Sequence, residues 1–477
     1  CRLMSHSRRI HDRLRAIARD AEWLMADPLL AGICRFGAAI IVAAGPWLVS
    51  VIALAIISVT MTPIMGLAAV EDLRLTFVYA FSIAPLAAGP IGAVTARSIS
   101  AAVEAGEHAT IAELFLSSAA LSGIVAQIVA IAVILLLGIG PVGVATGFVF
   151  LTVSAALLWT SFAVLAAVKS YGFLIAAFTC GMALSVGCAL LAAIYAPTTE
   201  VLIWCLAAGI SFCAALSIRH IQQMFPCRYD RFADTFRQLL RQLRANAILC
   251  IGVFLAICGV WIDKWVFWFG PDGVRSTAGF LHYSAYDSVM FLSHLSVIPT
   301  YAALLVFHHG DLVAVIERFK TVLESRATHA VLRNRIDGLA RVAWSGLFNI
   351  ALVQAAITIG LILMSPLLAK SFDFSFGQFL MMRVGLIGVF FHSLMFLCAS
   401  LLLVANRTRH FAIIQGGFLL LNLGLSLTLY ATIGISAYAF FASSLVAAVV
   451  AFYAAYKALQ AYDYHLFLGE NDSLYGR

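Results

Sequence analysis

Apolar residues fill runs of about 18 to 30 positions that recur from near residue 36 to near residue 456, with only short polar punctuation between most of them. A helix rising about 1.5 Å per residue needs about 20 such positions to cross a hydrocarbon core of about 30 Å. Each run is therefore predicted to be a membrane-spanning helix, at about 36–58, 73–97, 114–138, 143–168, 172–196, 201–218, 247–269, 281–307, 342–368, 376–405, 411–433 and 435–456. The links predicted on one side are very short, such as 138–142 and 431–434, whereas the other side carries two long links, 219–244 and 308–341. The first long link follows six spans and divides the apolar chain into halves of similar size, a plan used by alternating-access transporters. The fold class expected is an all-α integral membrane protein, with about twelve transmembrane helices in two pseudo-symmetric six-helix bundles. The expected domains are an amphipathic N-terminus at 1–35, one bundle at 36–218, a basic linker at 219–246, a second bundle at 247–456 that contains the loop 308–341, and a tail at 457–477.

Composition and charge sharpen this picture. Hydrophobic residues make up 63% of the chain and charged residues only 11%, against about 25% charged in soluble domains. The formal charge of +7 comes from loop bias rather than from a nucleic-acid patch. With the N-terminus inside, only Arg74, Lys264, Arg275 and Lys370 fall on or near the outer side, and Arg383 falls inside a span. That asymmetry satisfies the positive-inside rule and puts both termini in the cytoplasm. The first thirty residues carry Arg2, Arg8, Arg9, Arg13, Arg15 and Arg19 without a short apolar core and cleavage site, so no signal peptide is expected. Cys1 mimics the first residue of a lipoprotein, against the alternative of a shifted start with Met4 as the true one. The 10 cysteines show no C-x-x-C spacing and no clustering with histidine, and read as small apolar fillers rather than disulfides or metal ligands.

Both long links have helical amphipathic spacing. Across 228–244, Tyr229, Phe232, Phe236, Leu239, Leu240 and Leu243 lie opposite Arg228, Arg231, Arg237, Arg241 and Arg244. Such a helix suits the surface of an anionic inner leaflet and also offers a docking face for a cytosolic partner. The stretch 312–336 repeats the pattern, with Arg318, Lys320, Arg326, Arg333 and Arg335 on its polar side.

The chain has no G-x-x-x-x-G-K-[ST], no H-E-x-x-H and no G-x-S-x-G, so neither ATP hydrolysis nor enzymatic chemistry is expected, and neither are catalytic residues, cofactor or metal. What remains is a small set of polar groups at membrane depth, each costing about 2.5 to 3.5 kcal/mol if left alone at the bilayer centre. Asp263 and Lys264 interrupt the seventh span, Asp287 lies in the eighth, Arg383 in the tenth, and Arg74 opens the second. For Asp263 and Lys264 two readings stay open, the lining of a translocation path and an ion pair at the outer interface. For Asp287 and Arg383 the alternative to path lining is pairing with each other. Trp261, Trp265 and Trp268 follow one helix face, with Phe267 and Phe269 beside them and Tyr283 and Tyr286 opening the next span. They fit an interfacial aromatic belt, and equally flat rings on which the C–H faces of a sugar stack. Gly45-Pro46, Pro85, Gly89-Pro90 and Gly92 are candidate bends, either gating points or static kinks, and His282, His294 and His392 are candidate proton carriers or packing residues.

Four segments carry a family likeness. The arginine-rich start, Gly45-Pro46-Trp47 in the first span, and 262–271 closing the seventh (Ile-Asp-Lys-Trp-Val-Phe-Trp-Phe-Gly-Pro) resemble the PelG family of exopolysaccharide transporters in the multidrug/oligosaccharidyl-lipid/polysaccharide (MOP) exporter superfamily, as does the closing segment 462–467. The resemblance implies a MATE-like pair of six-helix bundles in the bacterial inner membrane, moving a galactosamine-containing polysaccharide from cytoplasm to periplasm. It also implies a cytosolic glycosyltransferase (PelF-like) and membrane subunits (PelD-like and PelE-like) as partners, for which the basic helices become docking surfaces. One departure concerns coupling, because multidrug antiporters of the superfamily place a carboxylate in the first helix and this first span has none. The expected path is lined by Arg74, Asp263, Lys264, Asp287 and Arg383, with Trp47, Trp265, Trp268 and Tyr283 touching sugar. The competing readings are a cation-coupled multidrug or lipid-linked oligosaccharide exporter, and a non-transporting scaffold of a synthase complex.

Overall fold

The computed structural model describes residues 28–106, 108–225, 232–307, 310, 312–324, 329–460 and 462. Arg228, Arg231, Arg326, the N-terminal arginines, Cys1 and the segment 463–467 lie outside the described residues, as do the side chains of Trp47 and Lys320.

The first half comprises α1 (Pro28–Met65), α2 (Leu67–Glu104), α3 (Ile111–Leu137), α4 (Val142–Ala167), α5 (Tyr171–Tyr195) and α6 (Thr199–Met224). The linker helix α7 (Phe232–Ala245) leads into α8 (Ala247–Trp268), a small hairpin of β1 (Val274–Arg275) and β2 (Leu281–His282), and then α9 (Ser284–Leu295) and α10 (Ile298–Phe307). The chain continues with α11 (Val313–Glu324), α12 (His329–Ser371), α13 (Phe376–Val404), α14 (Thr408–Ile433) and α15 (Tyr438–Gln460). Among the described residues 12 spans are long and apolar enough to cross a membrane, with α9 and α10 together forming the eighth.

The two halves repeat one packing plan. In the first, α1 packs on α5, α2 on α3 and α4, α4 on α3 and α6, and α5 on α6. In the second, α8 packs on α14, the α9–α10 span on α12 and α13, α13 on α12 and α15, and α14 on α15. Two seams join the halves, α1 against α10 and α2 against α8, and they too exchange under the repeat. The helix faces turned away from these contacts are apolar and exposed, for example Val59, Leu135, Leu363 and Leu420, as a chain solvated by lipid requires.

Three departures from the sequence pattern have local causes. The link 308–341 is not one amphipathic helix. Its first part forms α11, and its second part continues without interruption into the ninth span as the 43-residue α12. Ile336, Leu339, Ala343, Leu347 and Ile350 make one buried stripe across that junction, and no proline separates them. The eighth span is broken at Ser296 and Val297, where Pro299 in the first turn of α10 has no N–H to extend the ladder from α9. The first two helices are longer than expected, and Gly66 alone joins them at φ 84°. Conversely, the helices run on through Pro46, Pro85 and Pro90, the positions expected to bend.

The linker helix uses only part of its apolar stripe against protein. Thr235 and Leu239 are buried on the first half, and Gln242 accepts from Ser98 of α2 at 3.2 Å. Phe232 and Leu240 remain exposed. So do Arg237, Arg241 and Arg244.

Candidate functional site

The last two turns of α8 lie between the halves, with α14 on one side and α2 on the other. A residue on that stretch faces one half or the other according to its place in the 3.6-residue repeat. Asp263 turns into the second half and is fully buried. Tyr286 of α9 donates to its Oδ2 at 2.5 Å, and Lys264 Nζ lies 3.3 Å from its Oδ1. Lys264 also donates to the Val260 carbonyl at 3.0 Å and sits 5.7 Å from the centre of the Trp261 ring. The two charges thus form a pair, as one sequence reading allowed, but they do so buried inside protein. Removing water from two ions costs energy that only mutual attraction and complete hydrogen bonding recover, and the tyrosine supplies part of the second.

One turn on, Trp268 is 2% exposed and reaches both ways. Its ring lies 4.9 Å from that of Tyr79 on α2. Its Nε1–H donates to Asp287 at 2.9 and 3.1 Å. Asp287 also accepts from the Tyr283 backbone N–H at 3.1 Å, closing the first turn of α9. Trp265 and Trp261 are half-buried against the core of the first half, and Tyr283 packs against the cores of both. Asp263, Lys264, Asp287, Trp265, Trp268 and Tyr283 are therefore gathered near the hairpin end of the α2–α8 seam.

The other expected path residues stand apart. Arg383 on α13 donates to Ser365 of α12 at 2.8 Å and stacks 4.4 Å over Phe379, so it does not pair with Asp287. Arg74 is exposed on α2. Deeper in the second half, the half-buried His294 and the buried His392 have ring centres 6.4 Å apart. Nearby, Asn422 donates to the Gly259 carbonyl at 3.1 Å, and Gln354 links Ser296, Thr300 and Thr358 around the break in the eighth span.

Sequence reasoning passed over Asp72 and Gln354. Asp72 lies one residue before the expected start of the second span, so it read as a loop carboxylate, yet it is 4% exposed. The available signal was Glu71-Asp72, two acids on a side predicted to be poor in charge. Glutamine carries no formal charge, so a scan for ionisable groups at depth skips Gln354.

Two cavities are lined by residues of the second half. One sits among Leu292, Pro299, Leu361 and Met382 inside the second half, and the other is lined by Arg333, Arg341, Trp344 and Tyr456 on α12 and α15. Among the described residues no group of three or more His, Cys, Asp or Glu converges to hold a metal.

Comparison with known proteins adds the remaining evidence. The family model PelG, described as "Putative exopolysaccharide Exporter (EPS-E)", matches residues 24–467. No curated protein matches the chain. A solved MOP superfamily transporter from Pyrococcus furiosus Vc1 (DSM3638) is similar in structure, with TM-score 0.57 and 15% identity over 92% of this chain and 98% of that one. An outward-facing multidrug resistance transporter of the MATE family gives TM-score 0.62 and 13% identity over 89% of this chain and 96% of that one. An inward-facing MATE transporter gives 0.56 and 14% over 90% and 95%. At such identities the likeness establishes the twelve-helix fold and nothing finer.

Proposed function

The chain belongs to the PelG family of exopolysaccharide exporters, and from that membership we propose that it moves a Pel-like, galactosamine-containing polysaccharide across the bacterial inner membrane. It is a membrane transporter, not an enzyme. Both termini and the linker helix face the cytoplasm in this reading, which sets the hairpin on the periplasmic side, as the positive-inside rule supports. The glycan passes between the halves, and the two seams separate and re-form around it. Asp263, Lys264 and Asp287 line the route at the seam with Arg74 at its mouth, and Arg383 contributes from farther back in the second half, on α13. Trp47, Trp265, Trp268 and Tyr283 offer flat faces to sugar rings.

In the state described here Asp263, Lys264 and Asp287 are satisfied by protein. Their exchange of partners for sugar hydroxyls accompanies opening of the α2–α8 seam. Arg237, Arg241 and Arg244, together with Arg228 and Arg231, form the docking face for a PelF-like glycosyltransferase and for anionic lipids, with PelD-like and PelE-like subunits alongside.

The observation that carries this reading is the family match over nearly the whole chain. Its test is export of polysaccharide by cells in which the chromosomal copy is replaced by Asp263→Ala, Asp287→Ala or Arg383→Ala, with membrane insertion checked by immunoblot. Export is expected to fall more than about tenfold for the two aspartates. Unchanged secretion from well-inserted protein removes these residues from the path. Transport of purified glycan into liposomes containing the protein alone separates an exporter from a scaffold, and dependence on an imposed sodium or proton gradient marks a cation-coupled one.

A further inference from the structure

The hairpin between α8 and α9 belongs by sequence to the second half, but its tip is built into the first. The Asp72 carboxylate of α2 accepts from the Thr277 hydroxyl and, at 3.1 Å, from the Ala278 backbone N–H. Tyr79, two turns along α2, donates its hydroxyl to the Leu281 carbonyl at 2.7 Å. On the other flank Arg275 donates to the Leu137 carbonyl at the end of α3 and to the hairpin's own Gly279 carbonyl. His282 lies 3.6 Å from Glu71. Phe280 is fully buried, with its ring 5.1 Å from that of Tyr79 and 5.6 Å from that of Phe148 on α4.

The tip is shaped for this seat. Ser276 donates its backbone N–H to the Phe280 carbonyl at 2.8 Å, closing a tight turn. Gly279 holds φ 111°, and a Cβ there would lie 3.3 Å from the Gly138 carbonyl oxygen. A glycine at this point lets the two backbones meet.

We infer that this hairpin is the outer gate of the transporter, with Asp72 as the residue that holds it shut. The argument is geometric. The α2–α8 seam is one of the two places where the halves part, and the hairpin spans that seam at its outer end with a buried aromatic plug and an anionic clasp. The contacts join the halves to each other rather than stabilising either alone, so they form and break together when the halves separate. The clasp grips the tip through two backbone groups, the Ala278 N–H and the Leu281 carbonyl, and through the side chains of Thr277, Arg275 and His282. The inference rests on the export reading only for the consequence of opening. The clasp itself is tested without any substrate.

Ser82 lies on the face of α2 that carries Tyr79, one turn farther from the outer end, and is 2% exposed. In a Ser82→Cys background, labelling of residue 82 itself by a membrane-impermeant maleimide, read by peptide mass spectrometry apart from the 10 native cysteines, is measured on spheroplasts, where only the outer side is accessible. Adding Asp72→Ala is expected to raise the labelling rate at least about fivefold. Thr277→Val, a change on an exposed loop residue, serves as a second variant that spares the helix and is expected to raise it by a smaller factor. Unchanged labelling in both, in protein that inserts normally, overturns the clasp whatever the protein exports.

In the second arm, Asp72→Cys and Thr277→Cys are combined and bridged by a short bis-methanethiosulfonate linker, each cysteine thiolate forming a disulfide with the linker as methanesulfinate leaves. Export is expected to fall more than about tenfold and to return on reductive cleavage of the linker, with the single-cysteine variants showing neither effect. A bridged protein that exports at the unbridged rate overturns the gate. If the parent protein exports no polysaccharide, the proposed function fails instead, and the labelling arm still reads the clasp.

Discussion

The two halves share one packing plan but not one interior. Buried polar groups at depth in the first half are hydroxyls: Thr95 meets Ser118 at 2.7 Å, Thr160 donates to Ser122 at 2.9 Å, and Thr76 and Thr152 donate to carbonyls four residues back on their own helices. The buried carboxylates of that half, Asp72 and Glu113, lie near the starts of α2 and α3. The second half instead buries an ion pair, two imidazoles and three amides, those of Gln354, Gln415 and Asn422. A hydroxyl bonded to its own helix needs nothing from a neighbour, whereas Asp263 and Lys264 depend on each other and on Tyr286 of the next helix. The buried ion pair at depth thus belongs to the second half, whereas the first meets its hydroxyls with other hydroxyls or with carbonyls of its own helices.

Four changes break or sharpen this contrast. Asp263→Ala strands Lys264 in a buried site and is expected to cost about 3 to 5 kcal/mol, read as a lowered thermal-unfolding midpoint of detergent-purified protein. Asp263→Asn keeps an acceptor for Tyr286 and is expected to cost less. Trp268→Phe keeps the ring on Tyr79 but withdraws the N–H from Asp287, for an expected loss of about 1 to 3 kcal/mol in the same assay. The smallest effect belongs to the first half: Thr160→Ala is expected to cost about 0.6 kcal/mol, the average for such bonds in membrane helices, and to leave export unchanged. A loss at Thr160 equal to that at Asp263 would erase the distinction between the halves.

Much of the architecture was legible because the bilayer imposes it. Length and apolarity alone define a span, and charge at depth is rare enough that Asp263, Lys264 and Asp287 stood out. Their partners were not legible, since Tyr286, Trp268 and Tyr283 fit both an aromatic belt and rings for sugar stacking, and hydrogen bonding between helices leaves no periodic signature. Asp287 and Arg383 looked complementary in sequence, but the fold gives the arginine to Ser365 and the aspartate to Trp268. The fusion of the second linker into α12 escaped notice because a polarity change along a helix looks like a loop when only hydropathy is followed. Nothing in the sequence marks the link between the seventh and eighth spans; the contact with Asp72, some two hundred residues earlier, is visible only in the fold.

One residue separates α1 from α2, and each of these helices forms one of the two seams with the second half. A tether as short as Gly66 transmits displacement with almost no slack. Tilting α1 against α10 therefore drags the head of α2, and with it the footing of Tyr79 and Asp72. Motion at one seam is therefore expected to be felt at the other.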